Sequence, residues 1–313
     1  MDVTLKAMRY FLTAVECGSI AGASKKMNVV PSAIFTAVNQ VEEAFGLQLT
    51  LRHRSKGITP TATGLIVMKK LQHLLDEYDT VMGEGADLRS KLTGSLRVGY
   101  YAPIAPAFVP AITSTLLEGN SGIDVKFTEC DNHSAQLGLI DGTYDVIICV
   151  ANAMHPQITF EPLTEVSAYL LTSETHPFAS QTSVDAKNLA NEKLVLLDLP
   201  VVSEYYGQLF EAAGVSPDVI ATSSSVEMVR SMVGQGIGCS VLHMRPATDI
   251  SYAGQRVVAV PFDPPLEPLQ IALGYLPDNP RRLVSAFVNE ISNYFEGDDV
   301  QKFLVKVTYQ QNA

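Results

Sequence analysis

Much of what would mark a membrane protein, a metalloenzyme or a hydrolase is missing from this sequence. No stretch of 18 or more apolar residues occurs, so no segment suffices for a helical membrane span. The first residues, MDVTLKAMRYFLTAVECGS, carry an acid at position 2 and place Lys6 and Arg9 inside an amphipathic pattern. A secretory leader would show an unbroken apolar core instead. A cytosolic protein with no membrane partner is expected. Only four cysteines are present (Cys17, Cys130, Cys149 and Cys239), none in a C-x-x-C pair and three in apolar segments. Buried, reduced thiols are expected. Six histidines show no metal-ligand spacing, and His133 and His243 stand alone, which predicts structural roles. G-x-S-x-G, Walker and H-E-x-x-H motifs are absent, so no enzymatic activity, metal or cofactor is expected. Gly234-Gln235-Gly236-Ile237-Gly238 resembles a nucleotide loop, but it closes a helix and precedes a strand, the reverse of a dinucleotide fingerprint. Asp141 and Asp145 read as turn residues beside Gly142, not as an acid–base pair.

What is present points elsewhere. At 313 residues the chain can hold two or three compact units, and 47% hydrophobic with 18% charged residues describes a folded chain. Its net charge of −11 argues at first against nucleic acid. Yet residues 1–60 hold seven basic residues (Lys6, Arg9, Lys25, Lys26, Arg52, Arg54, Lys56) against four acids. A basic head on an acidic body fits a DNA-reading unit attached to something else.

Gly18 to Glu42 predicts two short helices with a tight break. Ser19 is a good N-cap, Asn28 a turn residue, and Pro31 has the φ a first helical turn needs. Ile34, Val38, Val41 and Phe45 then form one apolar stripe. With the preceding stripe of Leu5, Met8, Leu12 and Val15, ended by Gly18, this outlines a helix-turn-helix. Next, Gly46–Leu51 alternates like a strand, Arg52–Gly57 is a basic turn and Ile58-Thr59-Pro60 a return strand, together a wing whose cations face phosphates or a minor groove. Thr61 to about Leu88 reads as a long helix. Met68, Leu75 and Met82 recur every seven residues with Leu71 and Tyr78 between them, which predicts a dimerisation seam.

A polar hinge, residues 90–94, separates this head from a body where strands alternate with helices, the pattern of a parallel sheet covered on both faces. The alternation runs twice, so two α/β units with a ligand cleft between them are expected. Order along the chain places Tyr100, Tyr101, Ala102, Thr128, Ala151, Pro200, Val201, Val202, Ser203, Tyr205, Ser224 and Ser225 near strand ends or helix N-termini, where an organic anion would bind. The polar tail from Gly297 has no assigned place.

MRYFLTAVECGSIAGASKKMNV, GLQLTLRHRSKGITPTATG and SVEMVRSMVGQGIGCSVLHMRPA carry a resemblance to the LysR-type transcriptional regulators over residues 4–295. The resemblance implies a fold: a mostly helical winged helix-turn-helix head (residues 1–60), a linker helix (61–89) and two periplasmic-binding-protein-like α/β subdomains. These would be residues 95–163 plus 268–295, and 164–267, with 296–313 as the tail. It implies a DNA-binding transcriptional regulator set by a small-molecule effector. The expected partners are double-stranded DNA, that effector, further copies of the chain in a dimer or tetramer, and RNA polymerase. A solute-binding protein, a two-lobed binder with decayed DNA affinity and an enzyme using the same cleft are the competing readings.

One departure matters. Where the family has Ser-Gln-Pro-Ala, this chain has Val30-Pro31-Ser32-Ala33, and the usual recognition-helix cations are replaced by Thr36, Asn39 and Gln40. From Val30 to Phe45 the only charges are Glu42 and Glu43. Such a helix makes no Arg–guanine pair, worth about 1–3 kcal/mol of discrimination. Ser32, Thr36, Asn39 and Gln40 could instead meet base edges, with Phe35 on a thymine methyl and an A·T-rich site. Phosphate affinity is then expected from Lys25, Lys26, Arg52, His53, Arg54 and Lys56.

Overall fold

The computed structural model describes residues 3–53, 57–86, 92–277 and 281–305. Residues up to Ser95 form one compact unit and nearly all the rest a second.

In the first unit, α1 (Leu5–Glu16) starts at Thr4, whose hydroxyl accepts from Ala7 N at 3.1 Å. The next helix, α2 (Ile20–Met27), is capped by Ser19 and stops at Asn28 in the left-handed conformation. The third, α3 (Pro31–Phe45), opens on Pro31 and ends at Gly46, also left-handed. Phe11, Ala23, Ile34, Val38 and Val41 close the core between them. Phe45 is exposed, so the buried stripe of α3 ends at Val41.

The wing is the antiparallel pair β1 (Thr50–His53) and β2 (Gly57–Pro60). Its first strand begins later than the alternation from Gly46 suggests. Glu42 Oε1 accepts from Leu49 N, Thr50 N and Thr50 Oγ1 at 2.8–3.0 Å, which folds the preceding residues back against α3. The wing is also tied to the α1–α2 turn, because Ile58 N donates to Gly18 O at 2.8 Å. Gly57 has φ +78° and a Cβ there would lie 2.0 Å from Gly18 O, so no other residue fits.

The linker helix α4 (Ala62–Ala86) corrects the expected seam. Leu71 and Leu75 are buried in the head's own core, with Met68 packed against it. Among the described residues of α4, the exposed large apolar side chains are Leu65, Ile66, Leu74, Tyr78, Val81 and Met82, the last four forming one stripe at helical spacing.

The second unit has two lobes. Its elements are β3 (Thr93–Tyr101), α5 (Val109–Leu117), β4 (Gly122–Cys130), α6 (Asn132–Ile140), β5 (Val146–Val150), β6 (Thr159–Val166), β7 (Tyr169–Ser173), β8 (Lys193–Leu197), α7 (Pro200–Ala213), β9 (Asp218–Ser223), α8 (Val226–Gly234), β10 (Ser240–Leu242), β11 (Val257–Pro261), β12 (Leu269–Tyr275) and α9 (Arg282–Glu296). The first lobe is built on the sheet β4-β3-β5-β12-β6 and the second on β10-β7-β11 and β8-β9. The first sheet is mixed, not wholly parallel. β3 and β5 are parallel, but β12 returns from the second lobe and runs antiparallel between β5 and β6.

Asp145 is not a turn residue. It is 2% exposed, and its carboxylate accepts from Arg97 (2.8 Å from both N and Nη2) and from Arg281 Nη1 at 2.8 Å. Asp141 does make the expected turn, accepting from Thr143 N at 3.0 Å. The Gly234–Gly238 stretch ends α8, as its order predicts. Gly238 lies so close to Lys193 O that a Cβ would meet it at 2.5 Å. The start of the tail finds a place, while residues 306–313 lie outside the described residues: Asp298–Phe303 is a short 3-10 turn with Val300 and Phe303 buried, and Arg245 N donates to Phe303 O at 3.1 Å.

Candidate nucleic-acid interface and ligand cleft

Ser32, Phe35, Thr36 and Gln40 stand exposed on one face of α3 and Asn39 is half-buried. The helix carries no cation, but the wing brings one to it. Arg52 Nη2 donates to Asn39 Oδ1 at 2.5 Å and to Glu42 Oε2 at 3.0 Å, and the guanidinium lies 4.8 Å from the centre of the Phe35 ring. Arg52 is therefore fixed against the exposed face of α3. Arg52 takes one lone pair of Asn39 Oδ1 and leaves the other, with the Nδ2 donors. Lys25 and Lys26 are exposed, and Lys26 pairs with Glu16 at 3.1 Å, whose hydrogen bond and charge raise the ammonium's pKa. The side chain of His53 and all of Arg54 and Lys56 lie outside the described residues.

A further cation escaped the sequence reading. Lys6, with Thr4, Tyr10, Ser32, Thr36 and Gln40, lines a groove of about 330 Å³ between α1 and α3. Its Nζ lies 5.5 Å from the Tyr10 ring centre. The available signal was its place in the first turn of α1, two helices before the recognition helix in sequence.

Between the lobes of the second unit, Tyr101, Val202, Leu242, His243, Met244 and Leu269 enclose a small deep cavity. Ala102, Ser224, Ser225, Arg245 and Lys302 line a wider outer chamber. Of the twelve cleft residues expected from the sequence, Tyr101, Ala102, Val202, Ser224 and Ser225 line these chambers. Tyr205 closes the floor from behind: its ring meets His243 edge-on with centroids 4.5 Å apart, and its hydroxyl donates to Glu267 O at 2.9 Å. Tyr100 is a correction. It turns to the other side of its strand, meets Phe127 and lines a separate apolar groove with Val109 and Leu117. Thr128, Ala151, Pro200, Val201 and Ser203 are not on either chamber wall. Strand alternation turns Tyr100 away from Tyr101, and the helical period turns Val201 and Ser203 of α7 away from the side of Val202. Burial pushes the Tyr101 and Tyr205 hydroxyls up and the His243 imidazole down to about 3, so His243 is neutral at physiological pH.

All four cysteines are free, Cys149 and Cys239 buried and the other two half-buried. Burial pushes Cys130 up to about 11 and Cys149 and Cys239 to about 12. The fold also gathers three residues that no spacing revealed. His176 Nε2 lies 3.2 Å from Glu192 Oε2 and 3.6 Å from Cys239 Sγ. Since His176 Nδ1 accepts from Phe178 N at 3.2 Å, the neutral ring keeps its proton on Nε2, which suits a hydrogen-bonded cluster better than a metal ligand.

A winged helix-turn-helix followed by two α/β lobes with a cleft is the architecture that the comparisons identify. Residues 5–65 match "Bacterial regulatory helix-turn-helix protein, lysR family", and residues 89–296 match "LysR substrate binding domain". The chain belongs to the LysR family. It is a DNA-binding transcriptional regulator with an effector-binding domain. The regulator is similar to the DNA-binding transcriptional dual regulator OxyR of Escherichia coli (strain K12), at 24% identity over 284 residues covering 90% of this chain and 92% of the relative. It is 23% identical over 261 residues to the HTH-type transcriptional regulator YtlI of Bacillus subtilis (strain 168), covering 82% of each. The crystal structure of HinK, a LysR family transcriptional regulator from Pseudomonas aeruginosa, is similar with a TM-score of 0.61 and 30% identity, covering 94% of this chain and 99% of that one.

Proposed function

We propose that the regulator grips DNA with a composite surface: Ser32, Thr36 and Gln40 of α3 against base edges, Arg52 beside Phe35 as the cation of that face, and Lys6, Lys25, Arg54 and Lys56 on flanking phosphates. The observation that carries this reading is the Arg52 clamp, which puts a positive charge on a helix whose sequence has none. A small molecule held between the two lobes sets the regulator's activity by favouring one arrangement of them. Self-association runs through the exposed stripe of α4, Leu74, Tyr78, Val81 and Met82, so that two heads meet two half-sites; a tetramer is a pair of such dimers. The regulator acts in the cytosol, with RNA polymerase as its downstream partner and no catalytic step of its own. Among the described residues no helix is long and apolar enough to cross a membrane.

Chromatography of the full chain on immobilised genomic DNA tests the reading. Retention that weakens with salt and recovers defined fragments is the expected result. Failure to retain any fragment refutes it.

A further inference from the structure

The cleft is two chambers, one behind the other. The outer chamber, about 850 Å³, holds all of the cleft's charged side chains: Glu129, Glu227, Arg245 and Lys302. The deep chamber, about 20 Å³, has room for one oxygen-sized group. Pro103, Ile104, Val226 and Met244 belong to both walls, so the deep chamber is the floor of the outer one.

Apart from Tyr101 and His243, the side chains that line the floor are apolar. Tyr101 is 1% exposed and His243 7%, and neither Tyr101 Oη nor His243 Nε2 has a hydrogen-bond partner among the described residues. Neighbouring tyrosines are satisfied by the backbone: Tyr205 donates to Glu267 O and Tyr206 to Val241 O. Two buried polar atoms without partners, on residues that line one cavity, carry a standing desolvation cost that a polar ligand group reaching them removes. Among the described residues no lysine or arginine lines the floor, so an anionic group seated there would be buried without adjacent counter-charge.

We infer that the floor of the cleft takes the uncharged polar end of a small molecule, a hydroxyl or carbonyl on an apolar body, held by Tyr101 Oη and His243 Nε2 with the body lying along Pro103, Ile104, Val226 and Met244. The inference rests on the lobe cleft being the effector site, and it replaces an organic anion with a neutral ligand at the floor. A hydroxyl matches best, since it donates to one partner and accepts from the other.

Calorimetric titration of the full chain at neutral pH with phenol, benzoate and toluene tests this, because the three share a ring and differ only in the polar end. Phenol is expected to bind about tenfold or more tighter than either of the others. Tyr101→Phe and His243→Phe are each expected to weaken phenol by about threefold to tenfold and leave toluene unchanged. Benzoate binding as tightly as phenol, phenol unaffected by both substitutions, or no phenol binding at millimolar concentration overturns the inference. If both variants fail to fold, as read by their melting, the ranking of the three probes on the unmodified chain decides alone. Salt-dependent DNA retention, measured on the same preparation, reports on the head: its loss with phenol ranking as expected would count against the regulatory reading and not against the floor site.

Discussion

Arg52, on the first wing strand, holds its guanidinium 4.8 Å from the centre of the Phe35 ring on the recognition helix. The same guanidinium is fixed by Asn39 and Glu42, so the wing and α3 present one surface. A helix whose only charges are acidic acquires a cation through the fold.

Removing the ring separates position from charge. Phe35→Ala forfeits a cation–π contact of about 0.5–1 kcal/mol at this exposed site and lets the arginine move. DNA affinity should fall several-fold while its salt dependence stays as it was, because no charge is lost. Fluorescence anisotropy at two ionic strengths reads both quantities. Unchanged affinity would remove Phe35 from the interface.

The linker helix divides its apolar residues between two tasks. Leu75 is buried in the head, and Leu75→Ala should destabilise that unit by about 2–5 kcal/mol. Leu74→Glu with Val81→Glu, both at exposed positions, should leave melting nearly unchanged and reduce the mass seen by light scattering to that of one chain. An assembly surviving the double substitution would place the interface elsewhere.

Local chemistry was legible. Gly18, Ser19, Asn28 and Pro31 mark helix ends from sequence because capping and left-handed turns are decided by one or two residues. The apolar run Val146–Val150 reads as a fully buried strand and is one. What stayed hidden depends on distant partners. Arg52 meets Asn39 and Glu42 across a turn, Asp145 meets Arg281 136 residues away, and Tyr101 and His243 come together only when two lobes close on one cavity. β6 has no legible strand pattern because Pro162 and two glutamates interrupt it, which is tolerated where Pro162 sits beside an irregularity in the pairing with β12. The heptad count on α4 misled for a related reason: Met68, Leu71 and Leu75 have the right spacing, but the head's own core claims that face.

Asp145 predicts a sharp penalty. Burial alone would push its carboxyl up, but the hydrogen bonds from Arg97 and the charges of Arg281 and Arg97 outweigh it and hold the group below the usual carboxylate value. Asp145→Asn leaves two arginine charges without their shared counter-ion and should cost about 3–5 kcal/mol, measured by denaturation of the second unit's signal. The native pair stabilises fully above the unfolded carboxyl's value and loses its contribution as pH falls through the lower folded value.

His243 acts in a higher window. Its folded value, about 3, lies below the ordinary 6.5, so the unfolded chain takes up a proton first as the medium is acidified. Stability should fall between those two values by about 1.4 kcal/mol per pH unit. His243→Gln should flatten this slope in melting profiles; an unchanged slope would mean that the imidazole is not held neutral in the fold.

The salt dependence of DNA affinity for the unmodified regulator and for Arg52→Ala bears most directly on the composite surface. On a genomic fragment that the unmodified chain retains, the substitution should weaken binding and reduce the slope of log affinity against log salt by about 1. Equal affinity and equal slope for the two chains would contradict the assignment of Arg52 as the cation of the recognition face.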